Sequence, residues 1–332
     1  MSESLARAPE LATTSRPSVS DLRAALQEAF TRIGRVIRGH NDAIRLVGAA
    51  VLARGHVLLE DVPGVGKTTL ARAVARALGC SFSRIQFTAD LLPSDVLGVQ
   101  VLDARDGTLR FKKGPIFSHL VLADEINRAS PKTQSALLEA MADRQVSIDD
   151  QTHPLEAPFS VLATQNPVEH HGAYPLPESQ LDRFLVRLSL GYPPGEEERA
   201  LITGQAGGES SLGALEPALD PVRVRALQQE VQKVRVHDEV ADYLLRLVEA
   251  TRVHADVALG CSPRGSLAWA SLVRALAFLD GRAFVTPDDV KSVAHEVLVH
   301  RLHIRGAPEG GGARHQAQAI VDEILAATAA PR

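Results

Sequence analysis

The chain has 332 residues, of which 45% are apolar and 23% charged, and its formal net charge is −4. This length exceeds the usual size of one domain, so we expect two packed units. The negative net charge gives no whole-chain attraction to nucleic acid or acidic lipid, and a content of two cysteines excludes a disulfide-dense scaffold. No apolar run approaches the ~18 residues of a membrane span, and the amino terminus lacks the pattern of a signal peptide, so we expect a cytoplasmic protein.

The amino-terminal segment divides into a tail and a helix. Residues 1–17 are rich in Ala, Ser, Thr and Pro without periodicity, which indicates a flexible tail. Ser18 and Asp21 then have the spacing of a helix-capping pair. Apolar residues follow at four-residue intervals over 22–30, as on one face of an amphipathic helix.

Strand-like and helix-like segments alternate from residue 41 to about Tyr192. Near-continuous apolar strands between amphipathic helices are typical of a parallel sheet with helices on both faces. The predicted strands cover 56–60, 85–87, 120–123, 159–163 and 184–188, and the predicted helices cover 41–54, 70–78 and 131–141. Two further segments, Val99 to Phe111 and Val146 to Pro158, have the pattern of hairpins.

The carboxyl-terminal part has a different pattern. A Pro-Pro-Gly sequence at 193–195 ends the alternation, and a stretch rich in Gly and Ser follows at 207–211. Beyond it we find helical periodicity and no convincing strand; the predicted helices cover 222–234, 238–253, 263–279, 287–300 and 314–329. We expect an α/β domain over 18–194, a linker over 195–213 and a small all-helical domain over 214–332.

A phosphate-binding loop is the strongest motif. The sequence Asp61-Val62-Pro63-Gly64-Val65-Gly66-Lys67-Thr68 lies between a predicted strand and a predicted helix. Its glycines let backbone N–H groups turn inward at a helix amino terminus, where the dipole favours phosphate. Lys67 supplies positive charge for the β- and γ-phosphates of ATP, and Thr68 a hydroxyl for Mg²⁺. The predicted nucleotide contacts are Pro63, Gly64, Val65, Gly66, Lys67, Thr68 and Thr69. Asp61 stands where the P-loop pattern has Gly, at the loop's entrance, so we expect the phosphate contacts to survive.

Polar residues follow two other predicted strands. Asp124 is placed to hold Mg²⁺ through water, and Glu125 to orient and deprotonate the water that attacks the γ-phosphate. Adjacent acids also occur as solvated strand ends, but the preceding P-loop favours the functional interpretation. Asn166 could hydrogen-bond the γ-phosphate or the attacking water; asparagine before proline is also an ordinary turn former.

The order of these motifs resembles the MoxR branch of AAA+ ATPases, from about Ala24 to His303. The most specific matches are the segments 86–95 (QFTADLLPSD), 123–129 (ADEINRA), 131–141 (PKTQSALLEAM) and 172–184 (GAYPLPESQLDRF). Ala89, where the family tends to have proline, and Asp61 depart from the family pattern. Neither departure removes a catalytic group.

The resemblance implies roles that the residues alone do not assign. Arg183 would be the arginine finger that reaches a neighbouring subunit's nucleotide, and Arg264 the sensor-2 arginine of a helical lid, reaching back to the phosphates. Val36 and Ile37 would pack against adenine. From the residues alone, Arg183 would form a local ion pair with Asp182, and Arg264 would be surface charge.

The resemblance also implies a fold and an activity. Asn166 would be the sensor-1 residue of an α/β AAA+ core followed by a helical lid, assembled as a ring, usually a hexamer. The expected function is hydrolysis of ATP with Mg²⁺ to remodel, mature or activate a client protein complex, with a von Willebrand factor A domain protein as partner. The two hairpins would be the family's helix-2 and pre-sensor-1 inserts.

The sequence supports other functions of P-loop proteins less well. A nucleic-acid motor would need a basic stripe and stacking aromatic residues, whereas the chain has one adjacent lysine pair, at 112–113, three tyrosines and one tryptophan. The sequence therefore disfavours nucleic acid as a partner. A chelatase-type motor subunit shares the architecture and stays open. A small-molecule kinase is disfavoured because nothing suggests an acceptor pocket.

Overall fold

The computed structural model describes residues 17–148, 151–166, 174–203, 208–306 and 311–331. The predicted tail, apart from Pro17, lies outside the described residues, as do the first two positions of the 172–184 match. No helix in the described ranges is long and apolar enough to cross a membrane.

The secondary structure alternates between strands and helices in the first two thirds of the chain. The strands, in chain order, are β1 (Val57–Glu60), β2 (Phe82–Gln86), β3 (Gly98–Leu102), β4 (Leu109–Lys113), β5 (Leu120–Asp124), β6 (Gln145–Ile148), β7 (Gln151–Pro154), β8 (Ser160–Gln165), β9 (Val186–Leu188), β10 (Val257–Leu259) and β11 (His303–Ile304). The α-helices are α1 (Val19–Val36), α2 (Asn41–Leu52), α3 (Lys67–Ala77), α4 (Pro93–Leu97), α5 (Pro131–Asp143), α6 (Glu178–Leu181), α7 (Gly195–Ile202), α8 (Gly208–Gly213), α9 (Pro221–Gln232), α10 (Asp238–Val253), α11 (Pro263–Leu279), α12 (Pro287–Ser292), α13 (Ala294–Leu298) and α14 (Gly311–Ala327).

A five-stranded parallel sheet of order β2-β5-β8-β1-β9 forms the centre of the molecule. β5 is buried along its whole length, as its continuous apolar run predicts. Since the strands are parallel, the segments that follow β1, β5 and β8 lie together at one edge of the sheet. The predicted α/β core and the predicted hairpins, now β3–β4 and β6–β7, are confirmed.

The sheet, not the expected linker, divides the hydrophobic core. One cluster of buried side chains joins α1, α2 and α3 to the carboxyl-terminal helices and includes the fully buried Tyr243 and Trp269. A second cluster covers the other face, where α5 and Phe184 pack. The carboxyl-terminal helices therefore share one continuous core with the first three helices.

Several details differ from the sequence-based expectations. The carboxyl-terminal part is not wholly helical, because β10 and β11 form a small antiparallel pair. These strands span three and two residues, too few to produce a readable alternation. The expected linker over 195–213 contains α7 and α8. The helix predicted over 287–300 is broken at Val293 and ends in a 3₁₀ turn at Val299–Arg301.

Candidate functional site

The P-loop joins β1 to α3 and opens onto a cavity. Gly64 and Gly66 have φ values of 90° and 96°, which favour glycine, and Gly66 caps α3. A Cβ built at either position would meet nothing within 4 Å, so the loop's inner surface is open. The cavity is about 360 Å³ and is lined by Pro63, Gly64, Gly66, Lys67, Thr68, Thr69, Arg84, Asp124, Glu125, Thr164, Gln165 and Asn166. Backbone N–H groups beside a lysine and carboxylates fit the binding of a nucleoside triphosphate and Mg²⁺. Val65 alone of the predicted loop contacts lies outside the cavity lining and packs into the core.

Lys67 lies across the P-loop. Its ammonium donates to the carbonyl oxygens of Asp61 at 2.6 Å and Val62 at 3.3 Å. Burial lowers the pKa of Lys67, and the neighbouring carboxylates, Asp124 and Glu125 among them, oppose that shift. The positive charge is therefore held where phosphate oxygens would enter the loop.

Asp61 has a structural function that explains its place in the loop. Its Oδ2 accepts from the backbone N–H groups of Leu190 at 2.5 Å and Gly191 at 2.9 Å, and from the Ser189 hydroxyl at 3.0 Å. Its Oδ1 accepts from the N–H of Val62 at 3.1 Å. The carboxylate thus ties the entrance of the P-loop to the segment after β9, and glycine could not.

Asp124 ends β5 with both carboxylate oxygens engaged. Its Oδ1 accepts from the hydroxyl of Thr164 on β8 at 2.6 Å. Its Oδ2 accepts from Arg84 on β2, from Nε at 3.0 Å and from Nη2 at 2.7 Å. Asp124 and Thr68, the two residues predicted to bind Mg²⁺, both line this cavity.

Glu125 occupies a strained backbone position at the edge of this cavity. Its φ of 56° and ψ of 49° place it in the left-handed region, an uncommon conformation for a non-glycine residue that often marks functional sites. Its N–H donates to Thr164 Oγ1 at 2.8 Å. Its Oε2 accepts from Gln86 Nε2 at 2.7 Å and lies 3.2 Å from Arg128 Nε.

Asn166 follows β8 and is buried at 8% exposure, lining the cavity together with the acids. The carboxyl edge of the sheet thus brings the P-loop, Asp124, Glu125 and Asn166 together on one cavity.

Sequence reasoning missed the polar residues that hold the acids. Arg84 and Gln86 lie two positions apart on the same face of β2, and Thr164 is a residue of β8. A signal for the first two was present, because polar residues two apart near the end of an otherwise strand-like segment share one face of the sheet.

Arg183 and Arg264 lie elsewhere, at the opposite edge of the sheet. They line a separate cavity of about 230 Å³ together with Gly55 and His56, which precede β1. The described lining residues include five arginines, Arg54, Arg144, Arg183, Arg264 and Arg301, and a single acid, Asp182. Within one chain, Arg264 therefore does not reach the P-loop, contrary to expectation, because the lid packs beside α2 rather than over the loop.

Asp182 does not pair with Arg183. Its Oδ1 accepts from Arg301 Nε at 2.9 Å and its Oδ2 from the Ser262 hydroxyl at 2.9 Å. Across the described ranges no acid pairs with Arg183, whose Nε is buried without a partner. The local ion pair that the residues alone suggested is therefore wrong.

Val36 and Ile37, the predicted adenine contacts, are 5% and 7% exposed and belong to the hydrophobic core. They do not line the phosphate cavity. Gly39 just beyond them packs closely on Pro194, where an added Cβ would come within 2.5 Å of the proline ring. Their contact with adenine stays a prediction.

A P-loop, paired acids at the end of β5 and a carboxyl-terminal lid define an AAA+ nucleotide-binding module. Residues 56–186 match the ATPase family associated with various cellular activities (AAA), and residues 249–324 match the AAA lid domain. The chain is 49% identical to the YeaC protein of Bacillus subtilis over 94% of this chain and 96% of that protein. It is 44% identical to chaperone MoxR1 of Mycobacterium tuberculosis over 83% of this chain and 75% of that protein.

A crystal structure from Cytophaga hutchinsonii, described as a candidate ATPase, superposes with a TM-score of 0.86 at 35% identity, covering 95% of this chain and 97% of that one. The chain belongs to the MoxR family of AAA+ ATPases. Membership in this family implies ATP binding, and AAA+ ATPases typically form rings.

Proposed function

We propose that this protein is a Mg²⁺-dependent ATPase that works as a ring, usually of six subunits, and uses hydrolysis to remodel, mature or activate a client protein complex. The observation that carries the proposal is the convergence of the P-loop, Asp124, Glu125 and Asn166 on one cavity. We further propose that it acts in the cytoplasm.

The cavity residues divide the chemistry of hydrolysis between them. Lys67 and the loop N–H groups bind the phosphates, and Thr68 and Asp124 hold the metal. Mg²⁺ held by these residues would supply positive charge that offsets the negative charge of the phosphates. Glu125 accepts the proton of the attacking water, and Asn166 orients that water or the γ-phosphate. The contacts of Glu125 to Gln86 and Arg128 hold the carboxylate in place before the water arrives.

The arginine-lined cavity supports a site shared between subunits. Arg183 and Arg264 lie together on a surface whose described lining carries one acid, at the sheet edge opposite the P-loop. Such a surface attracts an anion, and the phosphates bound by its own chain lie at the other edge. We therefore assign Arg183 and Arg264 to the nucleotide of the adjacent subunit, where a finger arginine stabilises charge that develops in the transition state.

The remodelling role and its partners rest on relatives. One relative at 44% identity is named a chaperone. A von Willebrand factor A domain protein and a client complex are the partners we propose. Capture with the Glu125→Gln variant in the presence of ATP tests this role, because a slowed enzyme holds its client longer; the Lys67→Ala variant should capture none.

Nucleotide binding and hydrolysis provide the direct test. Lys67→Ala should abolish binding of a fluorescent ATP analogue, because the loop loses its cationic contact. Glu125→Gln should bind normally but hydrolyse about 100-fold more slowly, because an amide cannot take the proton. Lys291→Ala and Glu249→Gln, which alter exposed residues of α12 and α10, are matched controls.

Wild-type nucleotide affinity in Lys67→Ala would contradict the P-loop assignment. Normal turnover in Glu125→Gln would show that Glu125 is not the general base. Strong stimulation of hydrolysis by DNA would favour the nucleic-acid motor over the remodelling enzyme.

A further inference from the structure

The guanidinium of Arg84 contacts one carboxylate oxygen, Oδ2, of Asp124, and both residues line the cavity. Two of its N–H groups reach Oδ2, at 3.0 and 2.7 Å, while Thr164 binds Oδ1 at 2.6 Å. The carboxylate that would hold Mg²⁺ is therefore already neutralised and hydrogen-bonded by its own chain. A fork of two N–H groups on one carboxylate is among the strong charge-assisted contacts in proteins.

Arg84 is the more solvent-exposed partner in its contact with Asp124. Its side chain is 50% exposed, and that of Asp124 is 12% exposed. Its Nη2 also donates to Gln86 Oε1 at 2.7 Å, which steers the side chain along β2 towards the acid. An exposed arginine on a flexible stem forms a contact that a competing cation can displace.

We propose that Arg84 is a positioning residue that competes with Mg²⁺ for Asp124. It fixes the position of the Asp124 carboxylate between β2 and β8 when no metal is bound, and it weakens the affinity of the site for the metal. Two effects act in the same direction: the guanidinium blocks lone pairs of Oδ2, and its charge repels a divalent cation.

Because Arg84 lines the same cavity as Lys67, its charge stays beside the phosphates after it is displaced. Arg84 thus makes tight nucleotide binding depend on the free Mg²⁺ concentration. This inference rests on the proposed Mg²⁺-dependent ATPase function.

The test measures metal dependence rather than turnover. Binding of a fluorescent, non-hydrolysable ATP analogue to the full chain is followed at fixed nucleotide concentration while free Mg²⁺ is varied. Arg84→Ala should lower the half-saturating Mg²⁺ concentration by roughly five- to tenfold, because a charge-assisted competitor is lost. Arg84→Lys keeps the charge but loses the fork, and should lie between wild type and Arg84→Ala.

Arg223→Ala is the matched control. Arg223 is also 50% exposed and paired with an acid, Asp220, but it lies on α9, outside the cavity lining. The control should leave the Mg²⁺ dependence within twofold of wild type. A half-saturating concentration in Arg84→Ala that equals or exceeds that of wild type would overturn the inference, and so would an equal shift in Arg223→Ala. Wild-type nucleotide binding that ignores Mg²⁺ would overturn the proposed function itself, and this inference with it.

Discussion

The carboxylate of Asp182 accepts a hydrogen bond from the guanidinium of Arg301 at 2.9 Å, and this pair joins the loop that carries Arg183 to the carboxyl-terminal helices. Arg301 is almost fully buried and also donates to the carbonyl oxygens of Phe184 and Leu185. Gly265 makes room for it, since an added Cβ would come within 2.9 Å of the Arg301 side chain. The position of Arg183 thus depends on a residue that follows it by more than a hundred positions.

Replacement of Arg301 by Ala should lower the free energy of unfolding by about 3–5 kcal/mol, because it removes the guanidinium that pairs with the largely buried carboxylate of Asp182 and donates to buried carbonyl oxygens. Chemical denaturation measures the loss. Arg110→Ala, which breaks an exposed pair with Asp106, should leave the free energy of unfolding close to that of wild type. An equally small loss for Arg301→Ala would mean that this contact does not organise the loop.

Arg183→Ala should leave ATP affinity nearly intact and lower hydrolysis about 1,000-fold, since a finger arginine acts on the transition state. If Arg183 serves the neighbouring subunit, mixing this variant with Lys67→Ala should restore part of the activity. Some interfaces then combine an intact P-loop with an intact finger. The recovered activity should rise with protein concentration, because the site exists only in the assembly.

The control for this mixing experiment replaces the Lys67→Ala partner by a double variant that carries both substitutions. That mixture contains no intact finger and should stay inactive. Absence of recovery in the first mixture, with co-assembly verified by sizing, would argue against a site shared between subunits.

Asp61→Gly restores the residue usual in P-loops but should lower the free energy of unfolding by about 2–3 kcal/mol. The substitution leaves the N–H groups of Leu190 and Gly191 without the charged acceptor that they have at 2.5 and 2.9 Å. Asp61→Asn keeps a neutral acceptor oxygen and should lose about half as much. Denaturation curves are compared for wild type, Asp61→Gly and Asp61→Asn. If the Asp61 charge affected only phosphate binding, the glycine variant would be as stable as wild type.

His56 should make the protein sensitive to mild acid. Its Nδ1 accepts from the N–H of Val161 at 3.0 Å and its Nε2 donates to the carbonyl of Met141 at 3.1 Å, so a second ring proton would face an N–H donor. Burial lowers the pKa of His56 to about 4. Because the folded pKa lies below the unfolded value of about 6.5, His56 costs no stability above that pH. Stability is lost as the pH falls from 6.5 towards 4.

Between pH 7.5 and pH 5 the wild type should therefore lose about 2 kcal/mol more than His56→Gln, whose amide does not titrate. Denaturation at the two pH values measures the difference. The contribution of His300, also buried with a lowered pKa, is present in both proteins and cancels. Identical losses in the two proteins would show that protonation of His56 is not coupled to unfolding.

Local sequence patterns predicted most of the strands and helices and the polar cavity beside the P-loop. Strand and helix periodicities, the Gly64-Val65-Gly66-Lys67 turn and the acids after β5 are local patterns. Parallel strands bring the segments that follow them to one edge of a sheet, so the meeting of Lys67, Asp124, Glu125 and Asn166 follows from those patterns.

The partners of the charged groups, in contrast, depend on the tertiary structure. Asp182 binds Arg301, 119 positions away, rather than its neighbour Arg183, and Asp124 binds Arg84 from another strand. The same packing sets Arg264 beside Arg183 and joins the lid to the first three helices in one core. Ion-pair partners and domain placement depend on how distant segments pack in space, and periodicity along the chain carries no information about that distance.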